Sequence, residues 1–141
     1  MRVQTLEETM GGTNLSTFPI HLGLGATASV EPEFTGDPAW YGAYGERHAA
    51  DGAEARLVSR FTFTEPWSSW EMHPNGHEVV LCISGTMVLH QENPDGTRTQ
   101  LTLEPGQYAI NAPGVWHTAD VSGSATALFI TAGLGTQIRE R

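Results

Sequence analysis

Hydrophobic and polar positions alternate with a period of two through the second half of the chain. In RLVSRFTF, residues 56 to 63, the positions Leu57, Ser59, Phe61 and Phe63 are mostly apolar, while Arg56, Arg60 and Thr62 are polar. That spacing predicts a half-buried β-strand, because successive side chains of an extended chain point to opposite faces. Short β-rich runs follow it: EVVLCIS, TMVLHQ, TQLTL, QYAIN and TALFITA. Gly85, Asn93-Pro94-Asp95-Gly96, Pro105-Gly106, Pro113-Gly114 and Gly123 stand between them as turn signals. Asp95-Gly96, flanked by MVLHQ and TQLTL, is the strongest hairpin signal. Regular turns without a long amphipathic helix after residue 56 predict an all-β sandwich or barrel. Residues 1–55 are glycine-rich and show little sustained periodicity, which predicts loops, short strands and one brief helical turn. The expected organisation is an irregular N-terminal arm over 1–55, a barrel over 56–132 and a tail over 133–141.

Composition narrows the function classes. A chain of 141 residues makes one domain with room for a core. The formal net charge is −9 and the pI about 4.9, so the surface repels phosphate backbones and anionic membranes. Neither nucleic acid nor membrane is an expected partner. The opening MRVQTLEETMGG carries acids and no apolar core, unlike a secretory signal, and no run of ~18 apolar residues follows. A cytoplasmic protein is expected. Its single cysteine, Cys82, suits a reducing compartment and precludes an internal disulfide.

Candidate chemistry concentrates in WEMHPNGHEVVLCISG, residues 70–85, where two histidines and two glutamates flank a Pro-Asn-Gly turn. Alternation puts Glu71 and His73 on one face of the strand approaching the turn. On the strand leaving it, Glu78, Val80, Cys82 and Ser84 share one face and His77, Val79, Leu81 and Ile83 the other. A hairpin at Pro74-Asn75-Gly76 is expected to set the two strands side by side.

The spacing His73-x4-Glu78-x6-Gly85 resembles the first motif of the cupin superfamily, G-x5-H-x-H-x3-or-4-E-x6-G. GQYAINAPGVWHTADV resembles the second, G-x5-P-x-G-x2-H-x3-N, through Gly106, Gly114 and His117. The resemblance spans residues 56–132 and implies a double-stranded β-helix, the jelly-roll or cupin barrel, whose motif residues converge on a metal. Glu71 stands where the family has its first histidine, Glu65 at its opening glycine, Ala112 at its proline and Val121 at its last asparagine. The matched positions are therefore His73, Glu78 and His117, two imidazoles and a carboxylate, a set able to hold one divalent ion such as Mn, Fe, Ni or Zn. Glu71 shares the His73 face and has three open roles: fourth ligand, general base, or hydrogen-bond acceptor for a ligand imidazole. His77 is an alternative ligand to Glu78.

For every one of these a structural reading stands beside the functional one: a hydrogen-bonded histidine, a paired carboxylate, a solvent-facing His77. Tyr108, Trp116, Trp70, Cys82 and Arg60 are candidates to line a substrate pocket, with Cys82 also readable as a small core residue and Arg60 as a solvent-facing cation. Trp67 belongs with these aromatics. His21, His48 and His90 have no ligand spacing and are expected at the surface. The resemblance implies either a metalloenzyme acting on a small organic molecule, by dioxygenase, isomerase or lyase chemistry, or a non-catalytic small-molecule binder. It also implies a homodimer.

Overall fold

A computed structural model describes residues 12–141; the first eleven positions of the expected arm lie outside the described residues. Eleven strands are described: β1 (Ile20–Leu22), β2 (Ala28–Val30), β3 (Arg56–Phe63), β4 (Ser69–Met72), β5 (Glu78–Ser84), β6 (Met87–Glu92), β7 (Arg98–Leu103), β8 (Tyr108–Asn111), β9 (Trp116–Val121), β10 (Ala125–Thr131) and β11 (Gln137–Glu140). They form two antiparallel sheets, in the orders β2-β1-β3-β10-β5-β8 and β11-β4-β9-β6-β7. The all-β sandwich or barrel read from the alternation is what folds, in the jelly-roll form that the resemblance implies. Asp95-Gly96 closes the β6–β7 hairpin, which pairs from Met87↔Leu103 to Glu92↔Arg98. Asp95 Oδ1 accepts from the Thr97 amide at 3.0 Å, and Gly96 takes a φ of +87° that other residues rarely adopt.

Three features differ from the expectation. The sheets reach beyond 56–132, because β1 and β2 lie against β3 and β11 pairs with β4. The Pro74-Asn75-Gly76 turn joins two sheets and is not a hairpin: β4 pairs with β9 and β11, β5 with β10 and β8. The corner is tight, since a Cβ on Gly76 would lie 2.5 Å from that of Ala132, while Asn75 Nδ2 donates to the Leu134 carbonyl. The arm, finally, holds a full helix, α1 (Pro38–Arg47), in place of a brief turn. Asp37 caps it by accepting from the Trp40 amide at 2.8 Å, Pro38 occupies its first turn, and Trp40 is buried beneath it. Cap and burial together outweigh Gly42 and Gly45, each of which costs about 1 kcal/mol in a helix interior.

Strand register sorts the interior into layers. Val80 sits opposite Ala109, Leu89 opposite Ala119, and Met87 opposite both Leu103 and Val121. Together with Cys82, Ala125, Ala127 and Phe129 they make a closed apolar core, each large side chain contributing roughly 1.5–3 kcal/mol on burial. One layer away, the same strands turn polar: Glu78 lies opposite Asn111 and Thr131, and His117 opposite Glu71 and Gln91. The barrel thus has an apolar end and a polar end, and Val121 belongs to the apolar one. Among the described residues, no helix is long and apolar enough to cross a membrane.

Candidate metal centre

The polar layer brings four side chains from three strands and a corner together. Glu71 projects from β4, His73 follows that strand, Glu78 opens β5, and His117 lies on β9. His73 Nε2 is 3.1 Å from Glu78 Oε2, and His117 Nε2 is 3.0 Å from Glu78 Oε1 and 3.9 Å from Glu71 Oε2. Glu71, His73 and His117 each offer a ligand atom within 4.8 Å of the others. The side chains of His117, Glu78 and His73 are 0%, 4% and 6% exposed, and that of Glu71 is 36% exposed. Solvent therefore reaches the group on the Glu71 side.

Surrounding hydrogen bonds fix how the imidazoles face. Thr136 Oγ1 spends its one proton on the Gly133 carbonyl at 2.8 Å, so at 2.7 Å it accepts from His73 Nδ1–H. His117 Nδ1 faces the Val115 carbonyl at 3.5 Å, which can only accept. With each Nδ1 carrying a proton, both neutral rings turn an Nε2 lone pair toward the Glu78 carboxylate. Neither Nε2 makes a hydrogen bond with the protein, although both are buried. Two lone pairs against an anion repel, so the arrangement calls for positive charge at its centre, either protons on the imidazoles or a cation. The donors, two imidazoles and two carboxylates, suit a divalent metal. Glu78 is itself held: Asn111 Nδ2 donates to Oε1 at 3.1 Å and Thr131 Oγ1 to Oε2 at 2.6 Å. Gln91 Nε2 then donates to Asn111 Oδ1 at 2.8 Å and ties the two sheets together.

The electrostatics follow from these contacts. Burial pushes Glu78 up, but the His117 and His73 imidazoles at 3.0 and 3.1 Å, once protonated toward it, prevail and hold it far below the usual carboxylate range. Burial pushes His117 down, and the contacts with Glu78 and Glu71 reverse this, so it stays raised. Glu71 is raised, first by burial and then by Glu78, against the lowering effect of the two histidines.

Most of the expected pocket residues lie elsewhere. Trp70 and Trp116 stand on the outer face of the five-stranded sheet, because Glu71 and His117 take the inward positions beside them. There Arg139 lies over both rings and Arg98 over Trp70. Trp70 borders an outside groove of about 450 Å³ with His90, Arg98 and Arg141. Tyr108 is 63% exposed on the outer face of β8, where Ala109 and Asn111 point inward. Cys82 is interior but at the apolar end, its Sγ against the Ser84 and Gly85 carbonyls. Arg60 lies on the outer face of β3, its Nε buried without a partner. His77 is exposed.

Sequence reasoning missed Asn111, Thr131, Gln91 and Thr136, the residues that hold the donors. Only the inward alternation of QYAIN, placing Asn111 two residues from Ala109, signalled any of them. It also missed a second cluster in the arm. His21 is 3% exposed and bonds to Tyr44 Oη at 2.7 Å and Asp51 Oδ2 at 2.6 Å. The His48 ring stacks on it at 3.5 Å, and His48 Nε2 and Arg47 both bond to the buried Glu31. His21 is therefore not a surface residue; its two nitrogens are consumed in tying β1 to Tyr44 of α1 and to Asp51 just beyond that helix. His90 bonds to Asp120 at 2.7 Å on the outer face.

No family model matches the chain, and no curated protein matches it. Solved structures do. Peruvianin-I, a cysteine peptidase from Thevetia peruviana latex, is 21% identical with a TM-score of 0.52, over 60% of this chain and 56% of that one. The coconut allergen cocosin is 15% identical with a TM-score of 0.53, over 60% and 23%. An oxalate oxidase in complex with glycolate is 13% identical with a TM-score of 0.52, over 58% and 45%. The chain spans from under a quarter to just over half of these neighbours' lengths. They are cupin-fold proteins, and the fold of this chain is the cupin jelly roll.

Proposed function

We propose that this cupin-fold chain holds one divalent metal ion between His73, His117, Glu78 and Glu71 and acts through it on a small organic molecule. One observation carries the reading: two buried imidazoles turn unpartnered Nε2 atoms onto a carboxylate, while their Nδ1 protons are directed elsewhere. When bound, the ion supplies Lewis acidity to a ligand oxygen, the common basis of dioxygenase, isomerase and lyase chemistry.

The protein's own part is positional. Thr136 and the Val115 carbonyl hold the two rings in the ligating tautomer, and Asn111 and Thr131 fix Glu78 so that it needs no reorganisation when a cation enters. Glu71 lies nearest solvent with a raised proton affinity, which suits it to take a proton from a small molecule and return it. Metal identity among Mn, Fe, Ni and Zn follows from loading, since this donor set accepts each of them.

The test is metal content by plasma mass spectrometry after reconstitution with each ion. Close to one equivalent per chain in wild type, lost in His73→Ala and His117→Ala, supports the reading. Retention in Glu71→Ala assigns Glu71 to proton transfer, and loss assigns it to ligation. No stoichiometric metal in wild type under any loading defeats the proposal.

We also propose a cytoplasmic homodimer joined through the outer face of the six-stranded sheet. Register lines up Val30, Ile20, Val58, Ile130, Val79 and Ile110 across all six strands. Among the paired strand residues of that face there is no Asp or Glu. In a chain of net charge −9, this is the face on which two copies meet with least repulsion.

A further inference from the structure

The outer face of the five-stranded sheet gathers positive charge in a chain whose net charge is −9. All seven basic residues of the chain are arginines, and three of them, Arg98, Arg139 and Arg141, meet on this face. There a groove of about 450 Å³ is lined by Trp70, His90, Arg98, Gln100, Asp120 and Arg141. That volume lies in the range of small-molecule sites.

Glu92 joins Arg98 Nε at 3.0 Å to Arg139 Nη1 at 2.8 Å, and Asp120 joins Arg141 Nη2 and His90 Nε2, each at 2.7 Å. Three guanidiniums against two carboxylates leave one positive charge in excess. Two of the three arginines are committed. Arg139 lies over the Trp70 and Trp116 rings, and Arg141 Nη1 donates to the Trp67 and Ala119 carbonyls. Arg98 is not. Its Cζ lies 5.1 Å from the Trp70 ring centroid, so the indole supports one face of the guanidinium. Among the described residues only its Nε finds an acceptor, and the side chain is 63% exposed. Its two Nη groups are thus open to solvent at the edge of the groove. Exposed ion pairs contribute little to stability, so folding alone does not account for the gathering of cations. A guanidinium laid flat on an indole keeps its N–H edge in a fixed plane, and that edge matches two oxygens of a carboxylate or phosphate.

We infer that this groove is a second binding site, in which the free edge of Arg98 takes the carboxylate or phosphate of a small organic anion whose body lies along Trp70 and Gln100. The groove is separate from the proposed metal centre and does not depend on it. Trp70, His90 and Asp120 project outward from β4, β6 and β9, whereas Glu71, Gln91 and His117 on the same strands face inward. Gln100 lies opposite His90 on the neighbouring edge strand β7, which completes the wall beside Arg98.

Phenyl phosphate, benzoate and benzamide carry the same ring with a phosphate, a carboxylate and a neutral amide. Each is titrated into isotope-labelled full-length protein at neutral pH and constant ionic strength, and followed by nuclear magnetic resonance. The Trp70 indole N–H and the Gln100 side-chain amide report on the groove, and the Asn111 side-chain amide reports on the barrel interior. At least one anion is expected to saturate the groove signals about fivefold or more tightly than benzamide, the scale of one exposed charge-assisted contact. Arg98→Gln is expected to bring that preference within about twofold of none, with an unchanged Trp40 indole resonance showing that the variant is folded. Arg56→Gln removes an exposed cation from β3, outside the groove, and is expected to leave the preference as it was. Tighter phenyl phosphate assigns the site to phosphate esters, and tighter benzoate assigns it to carboxylates. Benzamide binding as well as the anions, a preference that survives Arg98→Gln or falls equally in Arg56→Gln, or saturation seen at Asn111 alone overturns the inference.

Discussion

Glu78 shows how much one side chain depends on its neighbours in this molecule. Its folded acidity is strengthened, so its contribution to stability is present above the unfolded carboxylate value near 4.3 and is lost as pH falls. His117 has the opposite sign: its contribution is complete below about 6.5 and is lost as pH rises through its raised folded value. Metal-free protein should therefore be most stable between about pH 4.5 and 6.5 and melt at progressively lower temperature on acidification. Glu78→Gln removes the acid limb, and thermal unfolding from pH 3 to 7 is expected to give a flatter acid side for the variant. Equal slopes would show that the carboxylate is not held as described. At this scale the sequence was informative about donors and silent about their supports. His73, Glu78 and His117 were singled out by their resemblance to spaced motifs, with Glu71 on the His73 face, and the structure brings all four together. Thr131, Thr136 and Asn111 meet Glu78 or His73 from 53, 63 and 33 positions away, and a Thr or Asn on a strand has many other uses.

Among the elements, the turn between β5 and β6 is the most constrained by geometry. Gly85 has a φ of +71°, and a Cβ there would drive into the Ser124 carbonyl oxygen and lie 2.8 Å from Ala125 Cα. Gly85→Ala is expected to cost roughly 2 kcal/mol or more through backbone strain together with the clash, read as a lowered urea midpoint with an unchanged slope. The strands themselves were legible, because period-two alternation is a local property, and so was the Asp95-Gly96 hairpin. The corner at Pro74-Asn75-Gly76 was not, since a three-residue turn reads alike whether it joins neighbours in one sheet or crosses between two. Helix α1 was obscured for a different reason. Gly42 and Gly45 weaken its helical signal, and its stability comes from the Asp37 cap and from Trp40 seated on the segment before it, against Phe34 and the Glu33 carbonyl.

For the whole molecule, the apolar ladder on the six-stranded sheet makes a prediction independent of the metal. Light scattering should give twice the 15.2 kDa chain mass. Ile110→Lys, at a position 50% exposed on that ladder, should give monomers whose metal content matches wild type. A wild type of single-chain mass would remove the dimer without bearing on the proposed metal site. Net charge is read directly from composition, whereas the ladder emerges only when six strands are set in register. The two-ended interior has a further consequence for how this protein can change over generations. Single strands carry both layers: β5 has Glu78 at its start and Cys82 further along, and β9 has His117 near its start and Val121 at its end, so the proposed site and the apolar core share the same strands. A change at Glu78 or His117 therefore acts on the proposed site and on folding together, whereas a change at Cys82 or Val121 acts on folding alone.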